Sequence, residues 1–154
     1  MNFTKMSDPI LFDTNILVYA HNKSSSFHKH SLGLVNKVKE GEIKGALAQQ
    51  NLVELYSIVT DKRRVDKPIS PKLALELAHS YLNSPFEIIF PTEETSDILL
   101  SLCKNISVKN GAIFDVYLAA TMIANNIKTI VTLNSKDFKS FPNIKVLDLA
   151  TNLS

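Results

Sequence analysis

Ile10-Leu11-Phe12-Asp13-Thr14-Asn15-Ile16-Leu17-Val18-Tyr19 contains an abrupt change of character within ten residues. The apolar run Pro9 to Phe12 stops at Asp13-Thr14-Asn15, three residue types that favour helix caps, and a second apolar run follows from Ile16 to Ala20. This order predicts a strand, a tight turn and a helix. The alternation continues downstream. Asn22 to Ser26 is a polar loop, and Leu32, Val35 and Val38 then recur at helical spacing until Gly41. Gly45 to Ala48 reads as a short buried strand feeding a helix from about Gln50 to Thr60. A further helix runs from about Pro71 to Leu82, with proline in its first turn. Phe86 to Phe90 is a strand candidate, Glu93 to Lys104 and Ile113 to Asn125 are helices, and Lys128 to Leu133 and Ile144 to Leu147 are closing strands. Short apolar strands separated by helices define an α/β class, a mostly parallel sheet covered on both faces. Ligands of such sheets gather beyond the carboxyl ends of the strands.

Composition fits one globular unit. Of 154 residues, 45% are hydrophobic and 21% charged, and a chain of this size can bury a full core. No repeat, low-complexity tract or long linker divides it, so a single domain over residues 1–154 is expected, with a core from about residue 9 to 147. Cys103 is the only cysteine, which excludes an internal disulfide or a cysteine-rich zinc site and fits a reducing cytoplasm. Met1 to Pro9 has no apolar run of the secretory kind. The longest apolar stretches are broken by Asp13, Glu54 and Asp115, so no membrane span is expected. A formal net charge of +2 permits a nucleic-acid partner without arguing for one.

Several carboxylates stand where chemistry is expected, and each has an ordinary alternative. Asp13 ends the first strand but is also a good helix cap. Glu54 shares a polar stripe with Gln50, Ser57 and Asp61, and a solvated stripe accounts for it equally. Asp115 lies on one line with Leu118, Ala119 and Met122, an apolar setting for an acid, although it could cap a helix starting near Val116. Asn134 and Asp137 directly follow a strand, where both residue types commonly form turns.

Taken together, the acids suggest more. Two carboxylates ~4 Å apart repel by about 4 kcal/mol at an effective dielectric of ~20, so such a cluster calls for a cation or a proton. An all-oxygen set favours Mg²⁺ or Mn²⁺, and Mg²⁺ commonly completes its shell with substrate phosphate. A bound metal also activates water, so no nucleophilic side chain is required. The remaining sequence agrees. With only four glycines there is no Gly-x-x-x-x-Gly-Lys phosphate loop and no Gly-x-Ser-x-Gly nucleophile turn. His21, His28, His30 and His79 include no pair at a spacing of four, which disfavours a zinc peptidase.

These segments resemble the PIN-domain family. Ile10 to Tyr19 is similar to its opening strand and turn, Asn51-Leu-Val-Glu54-Leu to its second acidic motif and Ile113-Phe-Asp115-Val-Tyr-Leu-Ala-Ala120 to its third. Ile130-Val-Thr-Leu-Asn134-Ser-Lys-Asp137-Phe138 resembles the fourth. The four occur in order and span about Pro9 to Leu147. The resemblance implies a three-layer α/β/α sandwich and Mg²⁺- or Mn²⁺-dependent cleavage of RNA. Asp13, Glu54 and Asp115 would be the metal-binding acids, with Thr14 and Asn15 supporting Asp13 and Thr132 supporting the site. The fourth position falls to Asn134 or Asp137. Stand-alone domains of this length also resemble VapC-type toxins, which implies a homodimer and a small antitoxin partner.

For RNA contact, Lys62-Arg63-Arg64 with Lys67 is the densest basic run, although cations are equally at home after a helix end. Two other functions compete. A haloacid-dehalogenase-like phosphatase needs a second Asp two positions after the first, where Asn15 stands. A PIN-like module that binds RNA or a partner without cutting is the other.

Overall fold

The computed structural model describes residues 7–106 and 108–152. Most of the N-terminal stretch considered above for a leader lies outside them. The elements are β1 (Ile10–Phe12), α1 (Thr14–His21), α2 (His28–Lys39), β2 (Gly45–Ala48), α3 (Gln49–Val59), α4 (Pro71–Leu82), β3 (Glu87–Ile89), α5 (Thr95–Asn105), α6 (Ala112–Ala124), β4 (Thr129–Thr132), α7 (Ser135–Phe138) and β5 (Lys145–Asp148), with a final 3-10 turn at Ala150–Asn152.

The five strands form one parallel sheet in the order β3-β2-β1-β4-β5. Every residue of β1, β2 and β4 is buried, as expected of central strands covered on both faces. Because successive side chains alternate between faces, the sheet divides the core in two. Ile10, Phe12, Leu47 and Val131 pack with residues of α1 to α4 on one face. Leu11, Ala46, Ala48 and Ile130 pack on the other with residues of α5, α6 and α7. The expected three-layer α/β/α sandwich is thus the observed one.

Two local features fix this arrangement. Ser70 caps α4 by accepting a hydrogen bond from the Leu73 amide at 3.3 Å, with Pro71 in the first turn where its missing N–H costs nothing. Gly45 starts β2 where a Cβ would come within 2.6 Å of the Phe86 ring and 2.7 Å of Val38. A Gly45→Ala protein is therefore expected to lose ~1–3 kcal/mol by overpacking, seen as a lower urea midpoint with unchanged slope.

The strand order places the crevice. The chain runs outward from β1 to β2 and β3, then returns to β1's other side for β4 and β5. The direction reverses between β1 and β4, so the carboxyl ends of those two strands open the cleft where ligands of such sheets bind. Asp13 and Thr132 stand at those two ends. No helix among the described residues is long and apolar enough to cross a membrane.

Candidate active site

Asp13 continues the β1–β4 ladder by one bond, its amide donating to the Val131 carbonyl at 3.0 Å. It occupies the N-cap position of α1, yet its side chain makes no capping bond to that helix. Oδ2 instead accepts from Asn15 Nδ2 and from Thr132 Oγ1, both at 2.6 Å. Asn15 Nδ2 also donates to Thr132 Oγ1 at 3.1 Å, and the Asn134 amide donates to the same hydroxyl at 2.9 Å. The triangle Asp13–Asn15–Thr132 ties β1 to β4 across the reversal point. Asn15 therefore braces Asp13 and is not the misplaced second acid of a phosphatase.

Glu54 is held by a different set. Its Oε2 accepts from Thr14 Oγ1 at 2.8 Å and its Oε1 from Gln50 Nε2 at 2.6 Å. The resemblance implied that Thr14 supports Asp13. Its backbone N–H does so, donating to the Asp13 carboxyl, while its hydroxyl donates to Glu54. Asn51, fully buried, completes the set: its Nδ2 donates to Thr14 Oγ1 at 3.0 Å, and its Oδ1 accepts the Ala48 amide at 2.7 Å. Sequence reasoning assigned Asn51 no role. The signal was present, since Asn51 stands four residues before the buried Leu55 and so puts an amide on the apolar side of α3.

Asp115 lies in the first turn of α6, which starts at Ala112, so it does not cap a helix near Val116. Leu118, Ala119 and Met122 on its line are buried, and Asp115 itself is half-buried. No hydrogen-bond donor reaches its carboxylate among the described residues. Burial first, then the negative charges of Asp137, Asp13 and Glu54, push Asp115 up to about 7. Asp13 is pushed up to about 6, chiefly by burial, with the Thr132 hydroxyl and the Thr14 backbone N–H opposing and the charges of Glu54 and Asp137 adding.

Four acids thus share one field. Asp137, exposed on α7, acts on both Asp115 and Asp13, and on Asp115 more strongly than Asp13 does. Asn134 is the N-cap residue of α7, with no side-chain bond to the helix and none to an acid. Among the described residues no basic side chain offsets the charge on Asp13 or Asp115. The ion pair present among the described residues is Arg63–Asp61 at 2.8 Å, in the loop after α3.

The all-oxygen donor set and its uncompensated charge fit a hard divalent cation. The fit is of charge and chemistry, not of a closed cage. Among the described residues no three His, Cys, Asp or Glu side chains are arranged to hold an ion as they stand. Internal hydrogen bonds to both oxygens of Glu54 and to Oδ2 of Asp13 hold these two carboxylates in fixed orientations.

The sign of the pH dependence follows. A carboxyl that titrates higher in the folded than in the unfolded chain favours folding fully below the unfolded value of 3.8, and that contribution is lost as pH rises through the folded value. For Asp115 the loss spans about pH 4 to 7. In EDTA, Asp115→Asn is expected to melt higher than wild type at pH 8, with the gap closing toward pH 4. Thermal melts across that range check it.

The basic run is not brought to the acids by any contact. Arg63 is clamped to Asp61 by three side-chain bonds of 2.8 to 3.2 Å, while Lys62, Arg64 and Lys67 are exposed in the same loop. An apolar hollow of about 570 Å³, lined by residues such as Leu52, Val53, Leu75 and Phe90, opens between α3, α4 and the β3 end, and none of the four acids lines it.

A parallel α/β sheet whose reversal point lies within the shared field of four carboxylates defines a class of acidic sites. Comparison gives the family: the PIN domain model matches residues 10–144, and the chain belongs to the PIN domain family. Among curated relatives it is 27% identical over 115 residues to the VapC ribonuclease Mb2897 of Mycobacterium bovis, covering 74% of this chain and 78% of that protein. It is 25% identical over 136 residues to ribonuclease VapC37 of Mycobacterium tuberculosis, covering 88% and 93%. Among solved structures, VapBC2 from Rickettsia felis, bound to a DNA fragment from its promoter, superposes with a TM-score of 0.65 at 25% identity, over 91% of this chain and 98% of that one. FitAcB from Neisseria gonorrhoeae shares the fold, with a TM-score of 0.64 at 16% identity, over 90% and 96%.

Proposed function

We propose that this protein is a metal-dependent endoribonuclease that hydrolyses RNA phosphodiester bonds, and that it is the toxin of a toxin–antitoxin pair. The observation that carries the chemistry is the group of four facing, uncompensated carboxylates at the sheet's reversal point, two of them pushed up to about 6 and about 7. Bound there, Mg²⁺ or Mn²⁺ supplies the positive charge that lets all the acids stay ionised, and it lowers the pKa of a coordinated water. Asp13, Glu54 and Asp115 are the ligands in this reading. Asp137 is the fourth acid, preferred over Asn134 because its charge bears on Asp115 and Asp13.

The protein's own groups do the orienting. Asn15 and Thr132 fix one oxygen of Asp13, Thr14 and Asn51 fix Glu54 from below, and the first turn of α6 presents Asp115 beside them. Lys62, Arg64 and Lys67 are the side chains left to meet an RNA backbone, since Arg63 is engaged by Asp61. A salt series on RNA binding checks them, because each lost phosphate contact lowers the slope by ~0.7 for a single strand.

The solved VapBC structure supports a small antitoxin as partner. The expected homodimer fits the exposed apolar side chains Val53, Leu75, Leu82 and Phe90. Cytoplasmic action is the matching location. A second reading, an RNA- or partner-binding module that does not cut, is favoured by one observation, the unclosed arrangement of the acids. Incubating the antitoxin-free protein with a panel of labelled RNAs in Mg²⁺, Mn²⁺ and excess EDTA separates the two. Cleavage lost in EDTA is expected. Metal-dependent retention of RNA without products would establish the binding module.

A further inference from the structure

Gln50, in the first turn of α3, joins the two helices that carry Glu54 and Asp115. Its Nε2 donates to Glu54 Oε1 at 2.6 Å and to the carbonyl oxygen of Phe114 at 3.0 Å. Phe114 immediately precedes Asp115, so the second bond ends one residue from that acid. Both partners are acceptors, which fixes the amide's orientation: the NH₂ group must face them. The remaining atom, Gln50 Oε1, is buried and has no partner.

That orphaned oxygen is informative. A buried acceptor without a donor costs stability, so this amide is not explained by what it adds to the fold. A surface Gln–Glu pair at a spacing of four is common on helices, but such a pair neither reaches a carbonyl on another helix nor buries an idle oxygen. Thr14 holds the other oxygen of Glu54 at 2.8 Å, so Gln50 and Thr14 grip that carboxylate from two sides.

We propose that Gln50 is a positioning residue of the acid site, holding the Glu54 carboxylate in one rotamer and fixing the first turn of α6, hence Asp115, against α3. This inference rests on the metal-dependent reading above. Gln50 touches neither substrate nor reacting atoms. Partners that orient metal ligands in this way typically change metal affinity ~10–100-fold when removed.

The test uses Mn²⁺ as probe and needs no RNA. Mn²⁺ affinity is measured calorimetrically for the full-length wild type, Asp13→Asn, Gln50→Leu and Gln50→Met, and the melting temperature of each is taken in EDTA. Gln50→Met keeps the length of the side chain and guards against a folding defect in Gln50→Leu. Expected are Mn²⁺ binding by wild type, its loss in Asp13→Asn, and a ~10–100-fold weaker affinity in both Gln50 variants with apo melting close to wild type. Wild-type affinity in both Gln50 variants, beside a defective Asp13→Asn, overturns the role of Gln50 alone. A melting drop that parallels the affinity loss reduces Gln50 to a structural contact and also overturns it. Absence of Mn²⁺ binding by wild type, or indifference to Asp13→Asn, overturns the metal-dependent reading and this inference with it.

Discussion

Asp13→Asn is expected to abolish RNA cleavage while leaving the protein folded. The amide keeps the shape of the carboxyl and deletes its charge, so the packing around residue 13 survives. What goes is an ionised oxygen at the meeting of β1 and β4, where the structure gathers Glu54, Asp115 and Asp137. Removal of a residue that only orients a ligand costs ~10–100-fold, so removal of the ligand itself should cost more than ~100-fold in rate at fixed Mg²⁺. Single-turnover cleavage of a labelled RNA by equal amounts of folded protein measures it. Wild-type rates in the variant would remove Asp13 from the site.

The second large effect is expected from Thr132→Val. The hydroxyl of Thr132 donates to Asp13 Oδ2 at 2.6 Å and accepts from Asn15 Nδ2 at 3.1 Å and the Asn134 amide at 2.9 Å. Thr132 is fully buried, so valine matches the volume and leaves these groups short of a partner. An unsatisfied buried group costs ~1–3 kcal/mol, and more when charged. A loss of ~2–4 kcal/mol is expected, read as a melting temperature lower by roughly 5–15 °C in EDTA. Loss of the donor also removes the larger of the two hydrogen bonds that oppose the upward push on Asp13, so that acid should titrate above its present value of about 6. NMR of the Asp13 carboxyl checks the shift. An unchanged melting temperature would mean that water replaces the hydroxyl at this point.

How much of this was legible in the residues differs by element. The strand–turn–helix at Ile10 to Tyr19 could be read directly, because an apolar run stopped by Asp-Thr-Asn has few other local solutions. Helices with long uninterrupted periodicity were equally plain, as at Pro71–Leu82. Helix α7, Ser135–Phe138, was read as a turn because four residues are too few to show a period and Asn and Asp are common in turns. The α6 start was also obscured, since Gly111 occupies the N-cap without a side chain to mark it. Sheet order was not legible at all. Pairing β1 with β4 joins residues over a hundred positions apart, and nothing local specifies it.

The acids divide in the same way. Asp13, Glu54 and Asp115 were found by their place at strand ends and on helix faces. Their braces were harder. Asn15 was expected to serve Asp13 and does, as does the backbone N–H of Thr14, while the Thr14 hydroxyl goes to Glu54 because side-chain direction depends on how α1 leaves the turn. Asn51 and Gln50 make hydrogen bonds between elements, which residue type alone does not reveal. The proposed preference for Asp137 over Asn134 also needs the fold, since only the placement of α7 brings the Asp137 charge to bear on Asp115.

The central claim is that water activated at these four acids cleaves RNA. Its most direct test is to let the antitoxin-free protein cut an RNA with Mg²⁺ in ¹⁸O-labelled water and to analyse the new ends by mass spectrometry. The account predicts one ¹⁸O atom in the terminal phosphate, no 2′,3′-cyclic phosphate, and loss of all products in EDTA. Cyclic phosphate ends without label, or cleavage that persists in EDTA, would contradict it.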